Sequence, residues 1–516
     1  MKGFSEKVYL TITPPTEDDA KSAQQRVLLA LEDNGFPNVK IPVHVLQKLY
    51  AVCLASNWNI TVSLVYREED WCVVSVEEGN TTSRHYGLAV DYGSTNIVMQ
   101  LLDMNTGEVL VQEREMNGQF EYGSDILTRI TYTMADPANM DNLQKVTVET
   151  FHRLLDRITE KTGVDARRCS IMILAGNTTM MHFLLKLDAR TVFFSPYAPV
   201  TMDPGWIWGK EIGMDFSGML YFVPSISNYV GGDITSGLIT LDFYKKDKVG
   251  IFFDIGTNGE LVMGNNQWLL AGAGAAGPAL EGYVSKFGMR AQDGAVDTVV
   301  IQNGEIKYTT IGNVKPIGIC GSGIIDLLAQ MRLNGWINIA GELEPSASDN
   351  IIFHEEEQMY VVIYADAQES ALGEPLYFSQ NDIKMYLETK AAAFTMIDCL
   401  MQEGGCTEED IDHCYLSGAF SAHSNLEHAI TVGIFPDLPR DKYSAIANTS
   451  LDGARTLLLN RDKLSDIRYL IENIYCVQFA SIPDFIIRMY AAKFIPHTDM
   501  RRFPIIAEKI KNNIGE

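Results

Sequence analysis

The chain repeats one strand–turn–strand pattern at two places far apart in its sequence. The first copy joins the apolar strands Gly87–Val90 and Ile97–Leu102 through the turn Asp91–Asn96. The second copy has its turn at Asp254–Gly259, again between two apolar strands. Each turn reads Asp, any residue, Gly and then Ser or Thr. Two such hairpins predict two similar lobes that face one another.

The sequence around these hairpins is typical of α/β architecture. From Tyr86 onward, short apolar strands alternate with helical patterns, and glycine-rich turns separate them. Before Tyr86, helical spacing over Val43–Ala55 and the alternating run Ile60–Val65 predict a smaller α/β unit, and Thr16 is the predicted N-cap of an earlier helix. The predicted divisions are a linker segment at 1–30, a small α/β middle domain at 31–84, lobe I at 85–245, and lobe II with the C-terminal helices at 246–516.

The charge balance excludes several classes of partner. Asp and Glu number 66 against 41 Lys and Arg, so the formal net charge is −25. A surface this acidic repels nucleic acid and anionic lipid, because both bind clustered cations. The sequence has no signal core and no apolar run of about 18 residues, so we expect no membrane segment. The eight cysteines form no C-x-x-C pair, which predicts reduced thiols in a cytoplasmic protein and no iron–sulfur cluster in this chain.

The two repeated turns have the composition of a phosphate site. Gly93 and Gly256 allow a ligand to approach the backbone closely, and consecutive N–H groups in such turns bind phosphate oxygens. Asp91 and Asp254 stand at the strand ends, where a carboxylate can hold hydrated Mg²⁺ beside those phosphates. A single Asp-x-Gly is more often a plain hairpin turn, but two matched copies favour the ligand-binding alternative.

Three other glycine-rich strings follow predicted strands. Gly176–Thr179 begins an apolar helix, where it suits either a ligand or a simple N-cap. Gly318–Gly323 leads into another helix, where it suits an anion or ribose, or a capped helix with tight packing. Ser417–Ala422 ends a strand and precedes Ala447–Ala454, whose small residues leave room for a flat base.

In this order the strings resemble the nucleotide motifs of the ASKHA superfamily of acetate and sugar kinases, chaperone ATPases and actin. Asp91–Asn96 is similar to its first phosphate motif, Asp254–Gly259 to its second, and Gly418–Phe420 to its adenosine motif. A more specific resemblance, to the reductive activators of corrinoid proteins, covers nearly the whole chain. The strings that carry it are Tyr9–Pro15, Tyr122–Ile126, Gly176–Met180, Tyr229–Asp233, Asp254–Glu260, Ala276–Gly282, Gly288–Ala291 and Gly318–Gly323.

This resemblance implies an actin-like ASKHA ATPase that binds ATP and Mg²⁺ between two lobes. Such activators couple ATP hydrolysis to the reduction of an inactive Co(II) corrinoid to Co(I), the state needed for methyl transfer. The implied partner is the corrinoid protein of a methyltransferase system, and the implied assembly is a homodimer. Because Co(I) lies uphill from ordinary cellular donors, ATP must act through different affinities for two states of the system.

Two departures from the family pattern concern the electron and the nucleotide. Family members usually carry an iron–sulfur domain whose spacing this sequence lacks. Either the chain is part of a longer protein, or a separate ferredoxin-like donor supplies the electron. The first phosphate motif has Ser94 and Asn96 where the family favours threonine, and the adenosine motif has Ser421 where glycine is usual. We expect these changes to weaken nucleotide binding.

The motifs and the resemblance assign roles to individual residues. Asp91 and Asp254 are the predicted organisers of Mg²⁺ and phosphate. Asp233 and Glu281 are the candidates for orienting the attacking water, and an ordinary helix-terminus acid is the alternative for each. The remaining predicted nucleotide contacts are Gly93, Ser94, Thr95, Asn96, Gly256, Thr257, Asn258, Gly321, Ser322, Gly323, Gly418 and Ala419.

Two other functions fit the same residues. A small-molecule kinase would use the same nucleotide motifs, since one fold hosts many functions. A non-catalytic module that binds the corrinoid protein would follow if the changes at Asn96 and Ser421 abolish nucleotide turnover. Phosphorylation of an added sugar or acid would identify the kinase, and tight corrinoid-protein binding without ATP hydrolysis would identify the module.

Overall fold

The chain folds into two compact units, each built from two stretches of sequence. The first unit contains Met1–Thr240 and Thr449–Asn473, and the second contains Leu241–Asn448 and Ile474–Glu516. The computed structural model describes residues 2–256, 259–274, 280, 282–418 and 424–514. Within these ranges no helix is long and apolar enough to cross a membrane.

A small α/β domain begins the first unit. Its strands are β1 (Ser5–Thr11), β2 (Val39–Lys40), β3 (Asn59–Tyr66) and β4 (Trp71–Glu78), and its helices are α1 (Ala23–Asp33) and α2 (Val43–Ala55). The sheet order is β1-β3-β4-β2, with β3 antiparallel to both neighbours. Because β1 pairs with β3, the predicted linker segment 1–30 shares a sheet with the predicted domain 31–84.

The start of α1 corrects the predicted N-cap at Thr16. Thr16 instead forms a turn with Asp19, closed by backbone hydrogen bonds in both directions. The helix begins after Ser22, whose hydroxyl accepts from the Gln25 N–H while the Gln25 side chain accepts from the Ser22 N–H. This capping box satisfies two amide donors at once, so the helix starts there.

A six-stranded sheet forms the rest of the first unit. Its order is β7-β6-β5-β8-β10-β9, in which β5, β8 and β10 are parallel and the others antiparallel to their neighbours. The strands are β5 (Tyr86–Tyr92), β6 (Asn96–Asp103), β7 (Val109–Met116), β8 (Ile171–Gly176), β9 (Trp206–Trp208) and β10 (Met219–Phe222). The helices are α3 (Ile126–Ala135), α4 (Asn139–Thr162), α5 (Thr178–Leu184), α6 (Arg190–Phe193), α7 (Gly232–Leu241), α11 (Thr449–Leu459) and α12 (Leu464–Asn473).

Strand β5 is buried along most of its length, and only Tyr86 and Asp91 are half-buried. Leu88, Val90 and Tyr92 are buried in one cluster with apolar residues of α4 such as Phe151. Successive strand residues point to opposite faces, so Asp91 lies on the other side of the sheet. Helix α11 contacts β5 and β8 on that side, next to Asp91.

The second unit contains another six-stranded sheet and two smaller ones. The orders are β21-β20-β11-β12-β13-β22, β15-β14-β16 and β17-β18-β19. The strands are β11 (Val249–Ile255), β12 (Gly259–Gly264), β13 (Leu269–Gly274), β14 (Ala295–Gln302), β15 (Glu305–Thr310), β16 (Gly318–Ile319), β17 (Ile351–His354), β18 (Met359–Ala365), β19 (Leu376–Ser379), β20 (Ile411–Ser417), β21 (Tyr443–Ala445) and β22 (Ile474–Cys476). The helices are α8 (Gly321–Leu333), α9 (Gln380–Glu403), α10 (Leu426–Val432), α13 (Phe485–Ala492) and α14 (Pro504–Ile514).

The two six-stranded sheets share five strands in the same relation. In each sheet the repeated turn joins an antiparallel hairpin, β5 with β6 in the first unit and β11 with β12 in the second. A third antiparallel strand, β7 or β13, pairs with the second strand of the hairpin. Two parallel strands, β8 and β10 or β20 and β21, extend the sheet from the first strand. The hairpin that repeats in the sequence is therefore part of a five-strand arrangement that repeats in the structure.

Candidate nucleotide-binding site

The carboxyl ends of the parallel strands in the first unit gather predicted site residues. Asp91 lies near the end of β5, β8 ends at Gly176, and Asp233 is the second residue of the helix that follows β10. These ends are close together, since a Cβ on Gly231 would lie 2.9 Å from the Gly176 carbonyl oxygen and 2.7 Å from an Asp233 carboxylate oxygen. Open α/β sheets bind ligands at such strand ends. We call this group, with the turn after β5, the first edge.

The backbone of the first turn is held from behind by Asn117 and Arg129. The Asn117 side-chain amide donates to the Gly93 carbonyl over 3.0 Å, and the Asn117 N–H donates to the Thr95 carbonyl over 2.9 Å. The Arg129 guanidinium donates to the Ser94 carbonyl over 2.8 Å. Both Asn117 and Arg129 are fully buried, so three consecutive carbonyls of the turn point inward.

This arrangement turns two amide donors outward. In a trans peptide the N–H points away from the carbonyl of the same peptide group, and the peptides of this turn are trans. The N–H groups of Ser94 and Thr95 therefore point away from the buried side, and neither donates to a described group of the protein. Adjacent outward N–H groups form an anion-binding concavity. A Cβ on Gly93 would lie 2.6 Å from the Asn96 carbonyl oxygen, so the tightness of the turn requires glycine.

Two carboxylates flank the first turn. Ser450, at the start of α11, donates to Asp91 Oδ1 over 2.9 Å. Asp233 Oδ1 accepts from the Ile234 N–H over 2.9 Å, and part of Asp233 remains accessible to solvent. Burial, followed by the negative charge of Asp91, raises the pKa of Asp233 to about 7. A carboxylate that exchanges its proton near neutral pH suits general-base chemistry.

The second unit has its own edge at the ends of β11 and β20. Asp254 lies opposite Ser417 in the parallel pair, and Gly418 follows directly. Gly418 has a φ of +92°, and a Cβ there would lie 2.2 Å from the Ile255 carbonyl oxygen. Glycine is therefore required at Gly418. A Cβ on Gly256 would have no atom of the described residues within 4 Å, so these residues leave the backbone open there. We call this group the second edge.

Four predicted site residues fall outside the described residues. They are Thr257, Asn258, Glu281 and Ala419. Ser421, the noted departure in the adenosine motif, also falls outside them. Their roles remain predictions, and the second edge is described through Asp254, Gly256 and Gly418.

Three sequence families match consecutive parts of the chain. The RACo linker region matches residues 1–83, the RACo middle region residues 86–246, and the C-terminal domain of RACo, the ASKHA domain, residues 248–507. The chain belongs to the RACo family. The ASKHA domain confirms the predicted fold class, an α/β ASKHA core with a small N-terminal α/β domain. In RACo terms the predicted middle domain at 31–84 is part of the linker region, and the predicted lobe I is the middle region.

Individual proteins similar to this RACo-family chain span most of its length. The corrinoid activation enzyme RamQ of Eubacterium limosum is 28% identical over 409 residues, which cover 78% of this chain and 69% of that protein. The Co(II) methylated amine-specific corrinoid protein reductase of Methanosarcina barkeri is 23% identical over 424 residues, covering 75% and 73%. The solved structure of a reductive activator for corrinoid, iron–sulfur protein matches with a TM-score of 0.85 and 32% identity, covering 98% of this chain and 81% of that one.

The glycine-rich start of α8 in this RACo-family chain packs against β14. The Ser322 hydroxyl donates to the Asp297 carbonyl over 2.9 Å. A Cβ on Gly323 would lie 2.4 Å from the Val296 carbonyl oxygen. These contacts explain Ser322 and Gly323 by packing, and a contact of Gly321, Ser322 or Gly323 with ribose or phosphate remains a prediction.

The small residues predicted to leave room for a base also have packing partners. A Cβ on Gly453 would lie 1.9 Å from the Ser236 carbonyl oxygen, so glycine lets α11 approach α7 closely. The Ser236 hydroxyl donates to the Ser450 carbonyl over 2.6 Å in the same contact. Ser450 thus connects this helix pair to Asp91.

Sequence reasoning missed the polar residues behind the first turn. Gln119 accepts from Arg129 over 3.2 Å and donates to the Tyr92 hydroxyl over 3.3 Å. Gln119 and Tyr92 thus extend the hydrogen-bonded support of the turn. A signal for Arg129 was present in the sequence. The buried residues of α3 are Ile126, Arg129, Ile130 and Thr133, which places an arginine on the apolar face of an amphipathic helix.

Histidine and cysteine have no evident part in the described site. His428 joins α10 to α8, with Nδ1 2.5 Å from Asp326 Oδ1 and Nε2 3.1 Å from the Gln330 amide. These contacts give His428 a packing role. No group of three or more His, Cys, Asp or Glu side chains suited to a metal ion occurs within the described part of the chain.

Proposed function

We propose that this chain binds ATP and Mg²⁺ through the two edges and hydrolyses ATP to drive the reductive activation of a corrinoid protein. The observation that carries the nucleotide part is the first turn, whose outward N–H donors lie beside Asp91 and Asp233. Family membership supports the corrinoid part, together with two similar proteins described as a corrinoid activation enzyme and a corrinoid protein reductase.

The carboxylates at the strand ends fit a magnesium ion. Asp91 and Asp254 occupy equivalent positions in the repeat, and both are half-buried. Mg²⁺ is commonly held by one or two carboxylates together with phosphate oxygens. The bound ion would supply positive charge that offsets the charge of the phosphates. The proposed nucleotide contacts are Gly93, Ser94, Thr95, Asn96, Gly256, Thr257 and Asn258 for phosphate, and Gly321, Ser322, Gly323, Gly418 and Ala419 for the nucleoside.

Asp233 is the proposed base for the attacking water. The water oxygen bonds to the terminal phosphorus, its proton passes to Asp233, and ADP leaves with the bridging oxygen. The raised pKa of Asp233 supports this assignment, because an acceptor matched to neutral pH takes the proton most effectively. Glu281 is the second candidate for the same task.

Coupling requires that the nucleotide change the affinity of the chain for one state of the corrinoid protein. A ligand shifts an equilibrium only by its differential affinity for the two states. ATP and ADP forms that bind the Co(II) and Co(I) proteins differently would meet this condition. One electron reduces Co(II) to Co(I), and we propose that a ferredoxin-like donor supplies it to a cytoplasmic homodimer of this chain.

The test combines ATP hydrolysis with cobalt spectroscopy. The chain is assayed alone and with Co(II) corrinoid proteins of methyltransferase systems, in the presence of a strong chemical reductant. We expect the cognate corrinoid protein to stimulate hydrolysis and Co(I) absorbance to appear only with ATP. A non-hydrolysable ATP analogue is the control for binding without turnover.

Other outcomes identify the alternatives. Hydrolysis that no corrinoid protein alters, with phosphorylation of an added sugar or acid, would show a small-molecule kinase. Tight binding of the corrinoid protein without any ATP hydrolysis would show a partner-binding module.

A further inference from the structure

Arg129 is the largest fully buried side chain in the described part of the chain. It occupies the core-facing side of α3, next to Ile126 and Ile130. Taking a guanidinium out of water is costly unless hydrogen bonds and an opposite charge compensate it. The partners of Arg129 therefore indicate what the charge is for.

The hydrogen-bond partners of Arg129 are neutral: three oxygens and the Met180 sulfur, which lies 3.5 Å from Nη1. Nε donates to the Gly123 carbonyl over 2.9 Å, Nη1 to the Gln119 side-chain oxygen over 3.2 Å, and Nη2 to the Ser94 carbonyl over 2.8 Å. The charge of the Asp125 carboxylate acts on this guanidinium, but neither Asp125 nor any other described carboxylate forms a direct ion pair with it. Burial lowers the pKa of Arg129 to about 10, so it stays charged at neutral pH. The hydrogen bonds are thus satisfied, while the positive charge lacks a directly bonded anion among the described residues.

One peptide group separates Arg129 from the outward side of the first turn. The Ser94 carbonyl, which accepts from Arg129, belongs to the same peptide as the Thr95 N–H. That N–H points away from Arg129 and donates to no described group. Hydrogen bonds at the two ends of one peptide strengthen each other, because each polarises the group for the other. An anion at Thr95 would therefore complete a chain that runs from guanidinium to peptide to anion.

We propose that Arg129 is a positioning residue for the phosphates of the bound nucleotide, holding the first turn in its anion-binding form and taking the phosphate as its counter-ion across one peptide. This inference rests on the proposed function. It assigns the first edge to a nucleoside polyphosphate and makes the contribution of Arg129 grow with the number of phosphates. Arg129 itself touches no ligand.

The experiment compares nucleotides that differ only in phosphate number. Dissociation constants of ATP and AMP are measured by calorimetry at fixed salt and Mg²⁺ for the full chain and for Arg129→Gln. We expect about a tenfold or greater weakening for ATP, as loss of a charge-assisted interaction brings, and less than about threefold for AMP. Arg129→Lys keeps the charge without the planar fork, and we expect it to weaken ATP less than Arg129→Gln does.

A matched control comes from another buried arginine. Arg26 donates to the carbonyls of Thr13, Lys21 and Asp19 in the N-terminal domain, and it also forms an ion pair with the Asp19 carboxylate over 3.1 Å. Arg26→Gln is expected to lower the melting temperature without changing the ratio of the two dissociation constants. This control separates the effect of losing any buried arginine from the effect of losing the Arg129 charge behind the first turn.

The outcomes are distinguishable. If the unaltered chain binds no ATP, the proposed function fails together with this inference. If it binds ATP and Arg129→Gln weakens ATP and AMP equally, Arg129 is only structural and the inference alone is overturned. Should Arg129→Gln fail to fold, Arg129→Lys decides. If Arg129→Lys weakens ATP binding about two- to fivefold and weakens AMP binding less, the inference is supported. If it leaves both affinities unchanged or weakens both equally, the inference is overturned.

Discussion

The two edges carry the same sequence motif, yet glycine is needed at each for a different reason. In the first turn a Cβ on Gly93 would strike the Asn96 carbonyl oxygen at 2.6 Å, so glycine closes the turn itself. In the second turn a Cβ on Gly256 would meet no described atom within 4 Å, so no packing contact with the described residues requires glycine there. Within the described part of the chain, Gly256 leaves open space beside the backbone.

The contacts that support the two turns also differ, as far as the described residues go. Asn117 and Arg129 hold the first turn through three carbonyls, so its donors are preorganised before any ligand arrives. At the second edge, Gly418 packs its backbone against the Ile255 carbonyl. Substitutions in the first turn should therefore damage stability and binding together. At Gly256 they should affect binding alone.

The largest expected effect comes from replacing Asp233, the proposed base at the first edge. Asp233→Asn should lower the rate of ATP hydrolysis about 10²–10⁴-fold, the usual contribution of a general base, while ATP binding remains. In the unaltered chain, kcat should fall as the pH drops below about 7, because protonation removes the acceptor. Hydrolysis that persists in Asp233→Asn would exclude Asp233 as the base and favour Glu281, the second candidate.

Asp233→Asn, which should lower activity, should raise folding stability at alkaline pH. The pKa of Asp233 rises from 3.8 in the unfolded chain to about 7 in the folded one, so the folded state binds more protons between these values. Stability is therefore lost as pH rises through this window. We expect Asp233→Asn to melt above the unaltered chain at pH 8, by a margin that shrinks towards pH 5. Asp18→Asn, at an exposed position, is the control and should show no such trend.

The paired substitutions Gly93→Ala and Gly256→Ala test the comparison directly. Gly93→Ala should cost about 1–3 kcal/mol of folding stability through overpacking and should also weaken ATP binding. Gly256→Ala should change stability by less than about 0.5 kcal/mol, as a surface substitution does, and still raise the KM for ATP. Thermal unfolding and steady-state ATPase kinetics measure both. Equal losses of stability in the two variants would contradict the difference between the turns.

The smallest expected effects are those of replacing Ser450 and Ser322, which should differ from each other. Ser450→Ala removes the donor to Asp91, and we expect the Mg²⁺ concentration needed for half-maximal ATPase activity to rise about three- to tenfold, near the worth of one hydrogen bond. Ser322→Ala should change the KM for ATP less than about twofold, since its hydroxyl proton is already donated to Asp297. A larger effect at Ser322 would show that this hydroxyl serves the nucleotide.

Local patterns made much of the fold predictable. Helical spacing placed a helix over Val43–Ala55, and α2 has those bounds. The repeated hairpins were readable because strand, turn and strand are adjacent in sequence. The start of α1 was misplaced at Thr16, although the capping pair Ser22 and Gln25 was present in the sequence. Two possible helix starts a few residues apart differ in free energy by little more than one capping interaction. Composition alone does not show which of them is favoured.

The support of the site was harder to predict because it comes from distant segments. Ser450 reaches Asp91 across 359 residues, and no periodicity connects the two. Glycine was ambiguous for a related reason. Gly323 and Gly453 look like ligand-approach glycines in sequence, but the structure shows that each admits a neighbouring carbonyl. Ligand approach and helix packing impose the same demand on a glycine, so only the fold tells them apart.

The discontinuity of the first unit bears on how the chain is made. Helix α11, which contacts β5 and β8 beside the first turn, is encoded about 200 residues after the rest of that unit. At a synthesis rate of roughly 5–20 residues per second, this side of the sheet waits some tens of seconds for its helix. We expect a fragment that stops at Thr240 to leave the same side uncovered and to aggregate. On the ribosome, the first unit, which carries the proposed phosphate-binding turn, thus waits far longer for its last segment than the second unit does.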